Sequence, residues 1–287
     1  MNRPIGTILK TELEAEEELI LCCARIKPDR QTISKMHELV DGEVDWERFL
    51  QLASSNRVLP LVYQSLKQCD LSIPLFVIER LEQSSSKIAK WNIYLTGELF
   101  RILDLLDAHN IAAIPYKGPA LADAVYGDLC LRQFSDLDIL VREQDVLKVK
   151  QLLVTEGFKP EYRFNRFQET AYLNVGCEYN FNDESRNLHV EIHWRILPKL
   201  FAQARRADRL WEGVKVRSLA GRTIREFRPE DLLSHLCMHG FKHCWERLSL
   251  ICDIAELIRR NEGMDWDEVV VRATKSGSLR LLSLGLF

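Results

Sequence analysis

The chain has no C-x-x-C pair, no long apolar run and no surplus of one charge, and each absence removes a class of protein. Its eight cysteines, Cys22, Cys23, Cys69, Cys130, Cys177, Cys237, Cys244 and Cys252, are scattered. That pattern reads as the reduced, buried thiols of a cytosolic protein rather than a disulfide framework. No stretch approaches the roughly 18 consecutive apolar residues of a membrane span. Glu14, Glu16, Glu17 and Glu18 crowd ahead of the first apolar run, the reverse of a signal peptide's basic opening. Lys and Arg number 39 against 42 Asp and Glu, a net charge of −3, so bulk electrostatics make no case for a general nucleic-acid binder. A soluble, cytoplasmic protein is expected.

What is present is enough to build a sizeable core. The chain has 287 residues, 46% of them hydrophobic, which suits two domains or one large domain with extensions. From Ile8 to about Leu66 apolar residues recur at helical spacing, with Asp45 placed as an N-cap and Asn56 as a break. Leu71 to Pro74 reads as a loop, and a long helical stretch, in one or two pieces, runs from about Leu75 to Asn110. The chain closes on Leu284-Gly285-Leu286-Phe287 inside an apolar helical pattern, which reads as a truncated end. Trp46, Trp194 and Trp266 are expected to anchor cores rather than stack on bases.

The texture changes at Ile111. The run IAAIPY is short and apolar, as a buried strand is; Ala120 to Tyr126, after Gly118-Pro119, suits a short helix that Gly127 breaks. Ser135 to Val141 is the second strand, and Glu143 to Glu156 an amphipathic helix. Tyr172 to Phe181 and Leu188 to Arg195 are expected to be strands joined by a polar turn, and Val214 to Phe227 a hairpin around Ala220-Gly221. From Pro229 the pattern is helical to the end. The expected layout is an α+β protein: an N-terminal helical region over 1–110, an α/β core with a small mixed sheet over 111–228, and a C-terminal helical region over 229–287.

The chemistry concentrates on that core. In Asp136-Leu137-Asp138 the period of two in a strand puts both carboxylates on one face. Leu188 to Arg195 alternates likewise, with His189, Glu191, His193 and Arg195 opposite Leu188, Val190, Ile192 and Trp194. Two Mg²⁺ ions roughly 3.5–4 Å apart need bridging carboxylates, and Asp136, Asp138 and Glu191 can supply them. His235, His239 and His243 share one helical face. Without a carboxylate between them they read as a helix laid over the core's polar face rather than as a zinc site.

Several of these segments together resemble a known family. They are Tyr116-Lys117-Gly118, Leu131-Arg132, Ser135-Asp136-Leu137-Asp138-Ile139-Leu140-Val141, Val190-Glu191-Ile192-His193-Trp194 and His239-Gly240-Phe241-Lys242-His243. They are similar to the uncharacterised nucleotidyltransferase family of bacteria, within the polymerase-β-like nucleotidyltransferase superfamily. Val44-Asp45-Trp46-Glu47 fits as well, so the resemblance spans most of the chain. It implies transfer of a nucleoside monophosphate from an NTP, ATP among them, to an unidentified acceptor hydroxyl, with two Mg²⁺ and release of pyrophosphate. Asp136, Asp138 and Glu191 would be the catalytic metal ligands. Lys117, Gly118, Arg132, Ser135, His193, His239 and Lys242 would line the nucleotide. Pro119 departs from the superfamily's usual glycine or serine and has no N–H to offer a phosphate, so phosphate binding shifts to Lys117, Arg132 and Ser135. Two other readings stay open: a non-catalytic nucleotide-binding or protein-interaction module with the same fold, and a toxin-like transferase acting on tRNA.

Overall fold

A computed structural model describes residues 13–196 and 211–286. Residues 8–12, the start of the expected helical pattern, and Phe287 lie outside them. Four helices open the described chain: α1 (Ala15–Cys23), α2 (Arg30–Val40), α3 (Trp46–Ser55) and α4 (Leu59–Gln68). Asp45 caps α3 by accepting from the Arg48 N–H, and Asn56 ends it, both as the sequence predicts. Helix α5 (Leu75–Ala108) is one unbroken helix of 34 residues. The backbone leaves it through Asn110 at φ 57°, the left-handed geometry asparagine tolerates.

The chain then forms β1 (Ala113–Pro115), a short helix α6 (Gly118–Leu121) continued by one wider turn to Tyr126, β2 (Leu137–Val141), α7 (Val146–Thr155) and β3 (Lys159–Pro160). Next come α8 (Arg166–Val175), β4 (Glu178–Asp183) and β5 (Leu188–His193). The sheet order is β1-β2-β5-β4-β3, with β2 and β5 parallel and the other pairs antiparallel. This is the small mixed sheet the sequence predicts. Strands β6 (Lys215–Leu219) and β7 (Arg222–Glu226) form a separate hairpin, turning at Ala220 and Gly221, which both have positive φ.

One expectation fails here. Tyr172 to Val175, read as the start of a strand, is the end of α8. Asn165 caps that helix at the Phe167 and Gln168 N–H groups while the Gln168 side chain reaches back to the Asn165 N–H, a full capping box. From within the helix the Tyr172 ring lies against Phe164, Tyr179 and Trp194.

Four more helices follow: α9 (Pro229–Lys242), α10 (Leu248–Arg260), α11 (Trp266–Ser276) and α12 (Leu279–Leu286). The alternation of the strands sorts the interior into two cores. Leu137, Ile139, Val141, Val190, Ile192 and Trp194 pack with Leu95, Leu99, Ile102 and Leu106 of α5 and Val149 and Leu153 of α7. On the opposite sheet face Ile114, Tyr116 and Leu140 join one core shared by the N-terminal helices and α9 to α11. The two helical ends of the sequence therefore make a single layer over that face. Trp194 and Trp46 pack into these cores, whereas Trp266, first residue of α11, is 42% exposed and anchors none. All eight cysteines are free; five are buried and Cys244 is exposed. No described helix is long and apolar enough to cross a membrane.

Candidate active site

The polar residues of the sheet gather where β2 and β5 run side by side beneath α9. Asp138 pairs in register with Glu191, and Leu140 with His193, so the Asp138, Glu191 and His193 side chains share one face. Asp138 is 2% exposed. A buried carboxylate is kept only by charge partners. Lys117 Nζ makes an ion pair with Asp138 Oδ1, and His193 Nε2 lies 3.3 Å from the same oxygen and 3.1 Å from Glu191 Oε2. His189 Nε2 is 3.5 Å from Glu191 Oε1.

Among the described residues, Asp138, Glu191 and His193 are the one trio whose ligand atoms all fall within 4.8 Å of one another. Two carboxylates and an imidazole suit a divalent cation. Asp136, one residue before β2, is outside that trio yet close enough to feel Asp138, Lys117, Glu191 and Arg132. Burial and the Asp138 charge push its carboxyl up against the pull of Lys117. Glu191 goes the other way: burial works to raise it, but hydrogen bonds from His189 and His193 and the nearby charges hold it well below the usual carboxylate range. For His193, burial is outweighed by Asp138 and Glu191, and its pKa rises.

Gly118 explains how the β1 turn approaches this point. Its φ is +55°, and a Cβ there would sit 3.0 Å from the Asp136 carbonyl oxygen. Only glycine accepts both without strain.

The other expected nucleotide contacts divide. Ser135 is exposed beside Asp136. Lys242, at the end of α9, pairs with Glu178 at 3.2 Å, and Glu178 in turn lies 3.4 Å from His193 Nδ1. His239 sits near Lys117 and Arg132, and burial with those charges pulls its pKa down; its ring centroid is 4.5 Å from that of His243. Arg132 is paired with Asp253 on α10, its Nε and Nη2 donating to the two carboxylate oxygens at 2.8 and 2.9 Å. Tyr126 Oη donates to Asp253 as well, at 2.7 Å.

Residues that sequence reasoning missed also surround the site. Glu178 faces His193 across the β4–β5 register, a position legible only once the hairpin register is known. Arg57 and Arg247 come from the two helical ends, and Arg57 feels both Arg247 and Asp136.

Residues 42–287 match the family described as "uncharacterised nucleotidyltransferase". The chain belongs to that family. No curated protein matches it. Among solved structures, the solution structure of the antibiotic-resistance factor ANT(2'')-Ia aligns with a TM-score of 0.43 at 13% identity, over 65% of this chain and 92% of that one. A crystal structure of ANT(2'')-Ia with adenylyl-2''-tobramycin gives 0.41 at 12%, over 63% and 96%. An antigenic nucleotidyltransferase-like protein from Paracoccidioides brasiliensis gives 0.36 at 15%, over 69% and 91%. These likenesses are remote.

Proposed function

We propose that this member of the family is an active, Mg²⁺-dependent nucleotidyltransferase that moves a nucleoside monophosphate from an NTP to an acceptor hydroxyl. The observation that carries the reading is the pairing of Asp138 with Glu191 on adjacent parallel strands, with His193 between their oxygens. Asp138 and Glu191, with His193 beside them and Asp136 at the edge, would hold the divalent cations. Such cations, when bound, neutralise phosphate charge and favour displacement at the α-phosphorus.

The chain's own residues set the rest. The acceptor oxygen forms a bond to the α-phosphorus, the bond between that phosphorus and the bridging oxygen of the β-phosphate breaks, and pyrophosphate leaves. The hydroxyl proton goes to a carboxylate. Lys117, fixed against Asp138, adds a positive charge beside the reacting phosphate, and positioning with charge compensation supplies most of the rate in such chemistry.

Incubating the protein with α-labelled NTPs and a cell extract, with and without Mg²⁺, tests the reading. Label should move to an acceptor in the wild type and not in Asp138→Asn. Equal labelling by both proteins rules the assignment out. Nucleotide binding without any transfer favours the non-catalytic module, and label in RNA favours the tRNA-directed enzyme.

A further inference from the structure

Helix α3 ends in a turn that places an arginine where the backbone resists it. Arg57 has φ 56°. Its N–H donates to Ser54 O, and the next N–H, Val58, donates back to Ala53 O, each at 3.0 Å. This pair of bonds is the Schellman arrangement, whose left-handed position usually takes glycine or asparagine. Gly157, Gly277 and Asn110 fill the left-handed position after α7, α11 and α5. Arg57 breaks that pattern, and so do Cys244 and Trp245 after α9, at φ 51° and 53°.

The Arg57 turn is tied to the start of α10. Asn56 Oδ1 accepts from the Leu248 N–H at 3.0 Å, and Asn56 O accepts from the Ser249 N–H at 3.2 Å. These bonds fix the α3–α4 turn against the start of α10 and bring Arg57 beside Arg247. Strained backbone held in place by distant contacts is a mark of functional sites.

The other cations near the carboxylates have partners: Lys117 has Asp138, Arg132 has Asp253, Lys242 has Glu178 and Arg247 has Glu246. The half-buried Arg57 guanidinium makes no hydrogen bond or ion pair among the described residues. Burial and the Arg247 charge pull its pKa down, while Asp136 works against them. A half-buried guanidinium beside other cations calls for a strong anion, and its planar donors match phosphate oxygens in pairs.

We propose that Arg57, carried in from the N-terminal helices, binds the β- and γ-phosphates of the donor NTP and the pyrophosphate that leaves. This rests on the transferase reading above and adds to it a residue from outside the sheet. It also gives the tie between α3 and α10 a purpose: the helical layer completes the phosphate end of the site.

Calorimetry of inorganic pyrophosphate with Mg²⁺, using the full chain, tests the proposal in wild type, Arg57→Gly and Arg57→Lys. Arg57→Gly is expected to bind roughly 10- to 100-fold more weakly, the range for losing a hydrogen bond to a charged group. Its Tm should hold or rise, because glycine relieves the left-handed strain. Arg57→Lys should recover part of the affinity. A purely structural arginine predicts the opposite, a lower Tm with unchanged binding. The assignment is overturned if wild type does not bind pyrophosphate, or if Arg57→Gly binds within about twofold of wild type. Label transfer by Asp138→Asn reads the other question separately: if transfer is lost there while Arg57→Gly binds normally, the transferase reading stands and only the Arg57 assignment falls.

Discussion

Asp138 and Glu191 occupy paired positions on neighbouring parallel strands, and His193 Nε2 sits between their oxygens at 3.3 and 3.1 Å. The backbone register alone sets that approach, so replacing either carboxylate changes charge without changing the frame. Asp138→Asn and Glu191→Gln should each lower nucleotidyl transfer by more than about 100-fold, since even residues behind metal ligands cost 10- to 100-fold. Circular dichroism should stay that of wild type. Transfer within tenfold of wild type by either variant would remove that carboxylate from the mechanism.

His193 gives the trio an imidazole, a ligand that suits Fe²⁺, Ni²⁺ and Zn²⁺ better than it suits Mg²⁺ or Mn²⁺. His193→Gln is therefore expected to weaken Ni²⁺ binding more than Mg²⁺ binding, by roughly 10-fold for Ni²⁺. Coordination needs the neutral ring, so wild-type binding near pH 7 should release protons and His193→Gln fewer. Titrations in two buffers of different ionisation enthalpy measure both. Equal proton release by the two proteins would mean that His193 is no ligand.

Much of this arrangement is legible in local pattern. The period of two in Leu188 to Trp194 places Glu191 and His193 on the polar face, and the caps at Asp45 and Asp265 mark α3 and α11. What escapes is set by contacts far apart in sequence. Asn56 meets Leu248 across 192 residues, so nothing near Arg57 announces that it borders the site. Arg132 lies 121 residues from Asp253, and its local context reads equally well as a phosphate contact. The helix over Arg166–Val175 is obscured by its aromatic and β-branched residues, although Asn165 and Gln168 spell out its start.

Gly118 joins stability to function. Gly118→Ala adds a methyl 3.0 Å from the Asp136 carbonyl oxygen and forces an L side chain to φ +55°. A loss of about 1–2 kcal/mol in urea denaturation is expected, together with lower transfer because Asp136 must shift. Unchanged stability would mean that the turn relaxes freely.

The Arg132–Asp253 pair separates a structural arginine from a nucleotide-binding one. Both side chains are nearly buried, at 12% and 2% exposure. Asp253→Ala strands the guanidinium and leaves Tyr126 Oη without its acceptor. The expected cost is about 3–5 kcal/mol, and Arg132→Met combined with Asp253→Leu should recover part of it. If Arg132→Met instead leaves Tm intact and weakens NTP binding in calorimetry, Arg132 belongs to the nucleotide.

His235 makes folding sensitive to acid. It is 4% exposed, edge-on to Tyr116 at 4.7 Å between centroids, and neither ring nitrogen has a hydrogen-bond partner. Burial, then the charges of Lys117, His193 and Lys242, push its pKa well below the ordinary value. An imidazole kept neutral in the folded protein but free to protonate once unfolded takes up a proton on unfolding. Stability from this group is present above the unfolded pKa of about 6.5 and is lost as pH falls below it toward the depressed folded value. His235→Phe removes that linked proton and keeps the ring packing against Tyr116 and Phe227. The fall in stability below pH 6.5 should become shallower by up to about 1.4 kcal/mol per pH unit. At pH 7 the variant should be no less stable than wild type, since it buries no unsatisfied nitrogen. Denaturation curves at pH 7.5, 6.5 and 5.5 supply the comparison, and parallel pH dependences for the two proteins would show that His235 is not held neutral in the fold.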